Sequence, residues 1–522
     1  MSDRGPIIVD LLEATAAKYP DAAAVRWFVK KNIVEKTYGQ LDSDRRKVTN
    51  ALLGRGFEGQ QLSLIGTSAY EWITCYLGII GGKMTAVPLD PMLPQAELCD
   101  LVNRSDSQAV FVAPKLASYI GVLRENCPAV KLFILLDEKP SPAEEDVISF
   151  RELIADVDDT PLPEEQRPES DDVCTFIFTS GTTGKSKGVM LTQRNIYDDC
   201  VNVNVTFEPG STMLSVLPIH HAYCLSMEWL KGISLGAIFY INDSLLHMIR
   251  NIALVKPRIL IMVPMMIDAV AKRLGAEDPA LPKREAAVKV LGENLTHIFS
   301  GGAHLDPALV EFFEQYGIAV CEGYGMSECS PTISTNGQSA NRPGSVGKLL
   351  PNMQIRFVDG EIQVKGSNVM KGYYQMPKET EEAFMDGWLR TGDLGRMDED
   401  GFLYITGRLK NLIILSNGEN VSPEEIENSL LAHELVGEVV VAGETNGLSA
   451  RIYPDADVIE AKGLSEEAVA AELQAIVDAY NKSQPMYRSI TALIVRKYPF
   501  VKNATKKIVR AKMDIDEPPA NA

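Results

Sequence analysis

The chain has 522 residues, 45% hydrophobic and 23% charged, a composition that fits an ordinary globular protein of two or three domains. A formal charge of −19 and a pI near 4.9 exclude a broad basic surface for nucleic acid or anionic membrane, and any anionic ligand must therefore meet local cations. No apolar run reaches the ~18 residues of a membrane span; the longest candidate, ILIMVPMMIDAV from Ile259, carries Pro264 and Asp268. The amino terminus lacks a basic region followed by a long apolar one, so no secretory signal is read. The eight cysteines form no Cys-x-x-Cys pair and fit free thiols in a reducing cytoplasm.

In chain order, helical spacing is expected over Ile8 to Lys18, a strand over Ala23 to Val29 and a helix over Tyr38 to Leu53. Strand Leu62 to Gly66, helix Glu71 to Ile80 and strand Thr85 to Leu89 follow. Strand candidates resume after Val173: Met213 to Leu217, Ala237 to Ile241, Ile259 to Val263 and His297 to Phe299. The alternation predicts α/β architecture with parallel sheets in two subdomains, about 1–170 and 171–340, joined through the acidic stretch Asp156 to Asp171. From about 341 the texture changes. Alternating runs about Asp359-Gly360 and Asp400-Gly401 predict hairpins of a small antiparallel β subdomain reaching 407. An α+β unit over 408–522 is expected next. Ser422-Pro423-Glu424-Glu425 reads as a helix start with Ser422 at the N-cap. Strands near Val436 to Val441 and Ala492 to Val495 enclose a helix from Glu466 to Tyr480.

Residues Phe178 to Val189 read FTSGTTGKSKGV: three glycines, five hydroxyls and two lysines between apolar runs. Glycines bring backbone N–H groups close to an anion, hydroxyls donate to phosphate oxygens, and lysines add charge. The stretch is not a P-loop, because Thr179 stands where that pattern needs its first glycine. TSGTTGKSKG instead resembles the signature of the adenylate-forming (AMP-binding) enzymes, which include acyl-CoA synthetases, luciferases and peptide-synthetase adenylation domains. By that resemblance Thr179, Ser180, Gly181, Thr182, Thr183, Gly184, Lys185 and Lys187 bind the phosphates of ATP.

Four further stretches extend the likeness in the family's order. The first pairs Gly301-Gly302-Ala303 with Glu322-Gly323-Tyr324-Gly325-Met326-Ser327-Glu328. Its glycines let a flat base lie on backbone, Tyr324 is placed to stack on it, Ser327 to bond a phosphate, and Glu328 is a hard oxygen ligand suited to Mg²⁺. Thr182 and Glu328 are the implied metal ligands. The second, WLRTGDLG, presents Asp393 to the ribose. In the third, GRLKNLIILSNGENVSPEEIE, the family pattern puts Arg408 at the ribose, Lys410 at a hinge and Gly418 in the thiol's entry tunnel. The fourth, KNATKKIVR, aligns Lys507 with the lysine that reaches the active site, while Asn503 and Lys506 depart from the family's usual Thr and Gly.

In LPIHHAYC, His220, His221 and Cys224 are a weak metal signal, with no fourth ligand apparent. In fatty acyl-CoA synthetases a similar Leu-Pro-x-His-His lies beside the acyl pocket, which assigns His220 and His221 there. Peptide-synthetase domains tend to carry an Asp just after, to hold the substrate amine; Ala222, Tyr223 and Cys224 stand there instead. Trp229 and the run Met262 to Met266 read as core or acyl channel.

The resemblance implies a large N-terminal domain over 1–407 and a small mobile domain over 408–522 carrying Lys507. It implies a ligase that uses ATP, Mg²⁺ and a carboxylic acid, a fatty acid by the nearest likeness, to form an acyl-adenylate and pyrophosphate, with Lys507 and Glu328 as catalytic residues. The acyl group then passes to a thiol, CoA or alternatively acyl carrier protein, in a cytoplasmic setting without nucleic acid or a transmembrane segment. An amino-acid adenylation enzyme and a non-catalytic nucleotide or acyl-adenylate sensor are the other readings. Neither acyl length nor oligomeric state is written in a local motif.

Overall fold

The computed structural model describes residues 4–30, 32–137, 139, 144–179, 185–415, 420–444, 447–502 and 508–518. Two large sheets carry the first part of the chain. One has eight strands in the order Gly372–Tyr373, Lys187–Thr192, Val173–Thr179, Thr85–Leu89, Gln61–Ile65, Ser107–Val112, Leu132–Leu135 and Val147–Ser149. Its pairs are parallel from Val173–Thr179 onward to Val147–Ser149 and antiparallel on the other edge. Thr85–Leu89 is buried at every residue, as expected of a parallel strand covered on both faces. Val87, Val110, Phe133 and Phe176 pack there with Leu98 and Leu101 of helix Gln95–Arg104 in one apolar cluster.

The other sheet has nine strands: Lys348–Leu349, Thr332–Thr335, Ala319–Gly325, His297–Ser300, Ile259–Met262, Thr212–Ser215, Ile238–Ile241, Ala23–Val29 and Asn32–Thr37. It is parallel from Ala319–Gly325 through Ala23–Val29. The sheets therefore do not divide at Asp156 to Asp171. Ala23–Val29 joins the sheet built mainly from the later residues, and Val173–Thr179 joins the earlier one. Both exchanges are long-range pairings, which local periodicity does not encode.

The expected helices form with local support. Ile8–Lys18 buries Ile8, Val9, Leu12, Thr15 and Ala16 along one face. Tyr38–Leu53 opens on a capping box, with Thr37 accepting from the Gln40 N–H and Gln40 returning to the Thr37 N–H.

Beyond these sheets, Met353–Val358, Glu361–Gly366, Trp388–Met397 and Phe384–Met385 follow in one small sheet, with Leu403–Arg408 also on Trp388–Met397. The first hairpin turns at Asp359 (φ 50°) and Gly360 (φ 81°), the two left-handed residues that a type I′ turn requires. The last part of the chain holds a three-stranded sheet of Val436–Glu444, Gly447–Pro454 and Ile490–Val495. Its core joins Val439 and Ile452 to Ile426 and Leu430 of helix Pro423–Leu431 and to Leu473 and Val477 of helix Glu466–Lys482. Ser422 precedes Pro423–Leu431 as expected, but its hydroxyl does not cap the helix. It donates to the Thr406 carbonyl at 2.7 Å.

The chain divides into two compact units. One is Met1–Ile355, Val364–Leu389 and Glu399–Phe402; the other is Arg356–Gln363, Arg390–Asp398 and Leu403–Ala522. No helix among the described residues is long and apolar enough to cross a membrane. All eight cysteines are buried and free.

Candidate active site

The stretch expected to bind phosphate is flanked in the first unit by two antiparallel strands. Val173–Thr179 and Lys187–Thr192 pair antiparallel, with a register shift between Val173 and Thr175 and with Thr179 opposite Lys187. A strand therefore follows the stretch, where a P-loop would have a helix. Ser180, Gly181, Thr182, Thr183 and Gly184 lie outside the described residues. On the flank that is described, Arg104 donates to the Ser186 carbonyl at 2.5 Å and lies over the Phe178 ring. Lys185 is exposed. The Lys187 ammonium rests 4.7 Å from the centroid of the Tyr373 ring.

The two Gly-rich stretches expected to hold the base occupy the carboxyl ends of two adjacent parallel strands, His297–Ser300 and Ala319–Gly325, with Ser300 opposite Glu322. Crevices at strand carboxyl ends are where open α/β sheets take ligands. Gly302 has φ 83°, a left-handed backbone that suits glycine. The Glu322 carboxylate is 5% exposed and accepts the Leu305 N–H at 3.0 Å, which ties the Gly301–Ala303 turn to the neighbouring strand. Burial pushes that carboxyl up to about 8, against the opposing pull of the Leu305 bond. Gly323, Tyr324 and Gly325 complete the strand, and Met326 leads into the turn Ser327–Cys329. A Cβ at Gly325 would lie 1.9 Å from the Pro331 carbonyl oxygen, so the turn closes on a position that admits only glycine.

Glu328 is buried in that turn. Its Oε1 accepts the Tyr373 hydroxyl at 2.9 Å, and its carbonyl accepts the Met370 N–H at 2.8 Å. Among the described residues no group of three or more His, Cys, Asp or Glu side chains could hold a metal ion. A single carboxylate nonetheless fits Mg²⁺, which is commonly held by one or two carboxylates together with substrate phosphates. Tyr373 is the site residue that sequence reading missed. Its only signal there is a Gly-Tyr-Tyr run, one aromatic among seventeen tyrosines.

His220 and His221 follow the carboxyl end of Thr212–Ser215. Their ring centroids are 4.3 Å apart; His220 is buried and His221 exposed. Burial, assisted by His221, drives His220 down to about 3, so it is neutral at physiological pH. Cys224 does not join them in a ligand set. Its thiol donates to the Leu217 carbonyl at 3.3 Å and to Glu228 Oε2 at 3.2 Å. The following π-helical turns, Tyr223–Leu230, bury every residue after Tyr223. The Tyr223 ring lies against Gly301, where an added Cβ would come within 3.0 Å of it, and its hydroxyl donates to the Phe299 carbonyl. Trp229 is plain core, stacked 4.5 Å from Phe239, with its Nε1 donating to Ser215.

In the second unit, Asp393 is 3% exposed and forms an ion pair with Arg408 Nε at 2.7 Å across a hairpin that sets the two residues opposite one another. Glu361 organises the preceding turn, accepting from the Gly392 N–H and from Arg390 Nε. Thr391 accepts the Asp393 N–H at 3.0 Å. Lys410 is exposed in the short turn Leu409–Asn411. Gly418, Asn503, Lys506 and Lys507 lie outside the described residues.

The AMP-binding enzyme family matches residues 12–374, and the AMP-binding enzyme C-terminal domain matches residues 410–514. Among known proteins, a long-chain-fatty-acid–CoA ligase, FadD15 of Mycobacterium bovis, is 28% identical over 81% of this chain and 78% of its own. The peroxisomal long chain acyl-CoA synthetase 6 of Arabidopsis thaliana is 29% identical over 84% of this chain and 71% of its own. Among solved structures, the anthranilate CoA ligase AuaEII with anthranoyl-AMP superposes with a TM-score of 0.82 at 23% identity, over 97% of this chain and 96% of the other. That likeness is one of fold.

Proposed function

The chain belongs to the AMP-binding enzyme family and is an acid–thiol ligase, and we propose that it activates a fatty acid with ATP and transfers the acyl group to CoA. The observation that carries this reading is the contiguous set in which Tyr373 touches both Lys187 of the phosphate hairpin and Glu328 of the Gly-rich turn.

In the first step a carboxylate oxygen bonds to the α-phosphorus of ATP, and the bond from that phosphorus to the pyrophosphate oxygen breaks. Both reactants are anions, so rate enhancement rests on positioning and charge neutralisation. Thr179, Ser180, Gly181, Thr182, Thr183 and Gly184 surround the phosphates, with Lys185 and Lys187 on the outer ones. Mg²⁺, when bound, is held by Glu328 and Thr182 and offsets phosphate charge. The adenine lies among Gly301, Gly302, Ala303 and residues Glu322 to Met326, with Ser327 on phosphate and Asp393 and Arg408 at the ribose. Lys507 bridges the carboxylate and α-phosphate. In the second step the CoA thiol attacks the acyl carbon, the C–O bond to AMP breaks, and the sulfur loses its proton. We assign 408–522 as a small domain that reorients about Lys410 between the steps, removing Lys507 and bringing Gly418 to the thiol path.

A fatty acid is favoured over an amino acid by the stretch after His221. A buried amine needs a carboxylate counter-ion, and the carboxylate there, Glu228, is fully buried and already bonded to Cys224. The free, buried thiols and the lack of a membrane-crossing helix among the described residues fit a cytoplasmic setting. The test is pyrophosphate release across acids from acetate to palmitate, followed by thioester formation with CoA and, separately, with phosphopantetheinylated carrier protein. Release confined to fatty acids with transfer to CoA is expected. Release with amino or aryl acids alone, or transfer only to the carrier, would replace this reading.

A further inference from the structure

Tyr373 has no part in the chemistry above, yet it is the residue through which two parts of the phosphate site meet. It lies on the short edge strand Gly372–Tyr373, opposite Val189 of the phosphate hairpin. Its N–H is held by Thr380 Oγ1 at 2.9 Å, and Gly372 before it has φ 144° with Thr380 packed where a Cβ would stand. The next residue is fixed as well. The Tyr374 N–H donates to the Gly188 carbonyl, its ring lies 4.5 Å from Phe176, and its hydroxyl donates to Asp106. On a backbone pinned in this way the Tyr373 ring has one face under the Lys187 ammonium, while its hydroxyl donates to Glu328 Oε1 at 2.9 Å. A carboxylate with one oxygen committed to a fixed donor has its plane set, and Oε2 is left for other partners. A cation over an aromatic face is likewise held without losing its N–H donors.

We propose that Tyr373 is a positioning residue that fixes the Glu328 carboxylate relative to the Lys187 ammonium, so that the divalent cation and the polyphosphate of one nucleotide complex are met at a single spacing. This rests on the assignment of Glu328 as the cation ligand, and the experiment separates the two. Binding of ATP with Mn²⁺ is followed by the paramagnetic resonance of the ion, without acid or CoA, in the full chain and in Tyr373→Phe, Glu328→Gln and the double variant.

Tyr373→Phe keeps the ring and loses the hydroxyl, and Mn²⁺ binding to the nucleotide complex is expected to weaken roughly tenfold, the scale of a hydrogen bond to a charged group. On the Glu328→Gln background the same change should add nothing. Thr380→Val releases the Tyr373 N–H, along with the bond from the Thr380 hydroxyl to the Met376 carbonyl, and should weaken binding in the same direction, roughly threefold; it serves as the second route should Tyr373→Phe melt early. Full Mn²⁺ affinity in folded Tyr373→Phe and Thr380→Val, with Glu328→Gln impaired, would overturn the positioning role alone. Full affinity in Glu328→Gln would overturn the assignment of Glu328 and the positioning role with it.

Discussion

Glu228 is a fully buried acid hydrogen-bonded by the Cys224 thiol and by Ser215. Burial raises its carboxyl to about 8 from an ordinary 4.5. The native state therefore keeps a proton that the unfolded chain gives up. This acid's contribution is intact below pH 4.5 and is lost as pH rises from there to about 8, at up to about 1.4 kcal/mol per pH unit. Glu228→Gln is predicted to flatten that part of the curve, so that thermal melts at pH 5.5 and 8 differ less in the variant than in the native chain. Gly325 makes the opposite kind of prediction, a steric one. With 1.9 Å between its notional Cβ and the Pro331 carbonyl oxygen, Gly325→Ala forces backbone apart. We expect a fall in stability of about 2–4 kcal/mol, in the range of overpacked sites, and loss of nucleotide binding in a titration. The Gly-x-Gly spacing around Tyr324 was legible in the sequence. The carbonyl that enforces it was not, nor was the Tyr373 contact to Glu328, because each depends on a partner distant in sequence or on the exact path of a turn.

Among elements, the legible ones carry their own local chemistry. Helix Tyr38–Leu53 is announced by Thr37 and Gln40, and the hairpin at Asp359-Gly360 by two residues that tolerate left-handed backbone. Gly360→Ala tests how much of that hairpin rests on φ alone, since an added Cβ meets only a Leu394 methyl at 3.6 Å. About 1 kcal/mol of destabilisation in urea unfolding is expected, well below the Gly325 value. Ser422 shows where local reading stops. Ser-Pro-Glu-Glu does start a helix, yet the hydroxyl finds a stronger competitor in the Thr406 carbonyl, a group contributed by the neighbouring strand. The phosphate loop is similar. Its composition reads as an anion site, while the sheet around it depends on the flanking strands Val173–Thr179 and Lys187–Thr192 pairing with each other.

For the whole molecule, the class of fold and the order of the motifs were readable, since helices and short apolar strands alternate visibly and each motif is contiguous. The assignment of strands to sheets was not, because Ala23–Val29 pairs with Ile238–Ile241 across more than two hundred residues. The proposed chemistry likewise depends on residues far apart in the chain. Lys507→Ala is predicted to abolish acid-dependent exchange of pyrophosphate into ATP while sparing thioester formation from preformed acyl-adenylate. Equal loss of both would reject the role given to Lys507, and Lys506→Ala in parallel identifies which lysine acts. The most direct measurement of the central claim follows an oxygen atom. With a fatty acid labelled with ¹⁸O in its carboxylate, ATP and CoA, one labelled oxygen per turnover should appear in AMP, because the carboxylate oxygen bonds to the α-phosphorus and stays there when the thiol displaces it. Label in inorganic phosphate with ADP as the product, or unlabelled AMP, would contradict activation through an acyl-adenylate.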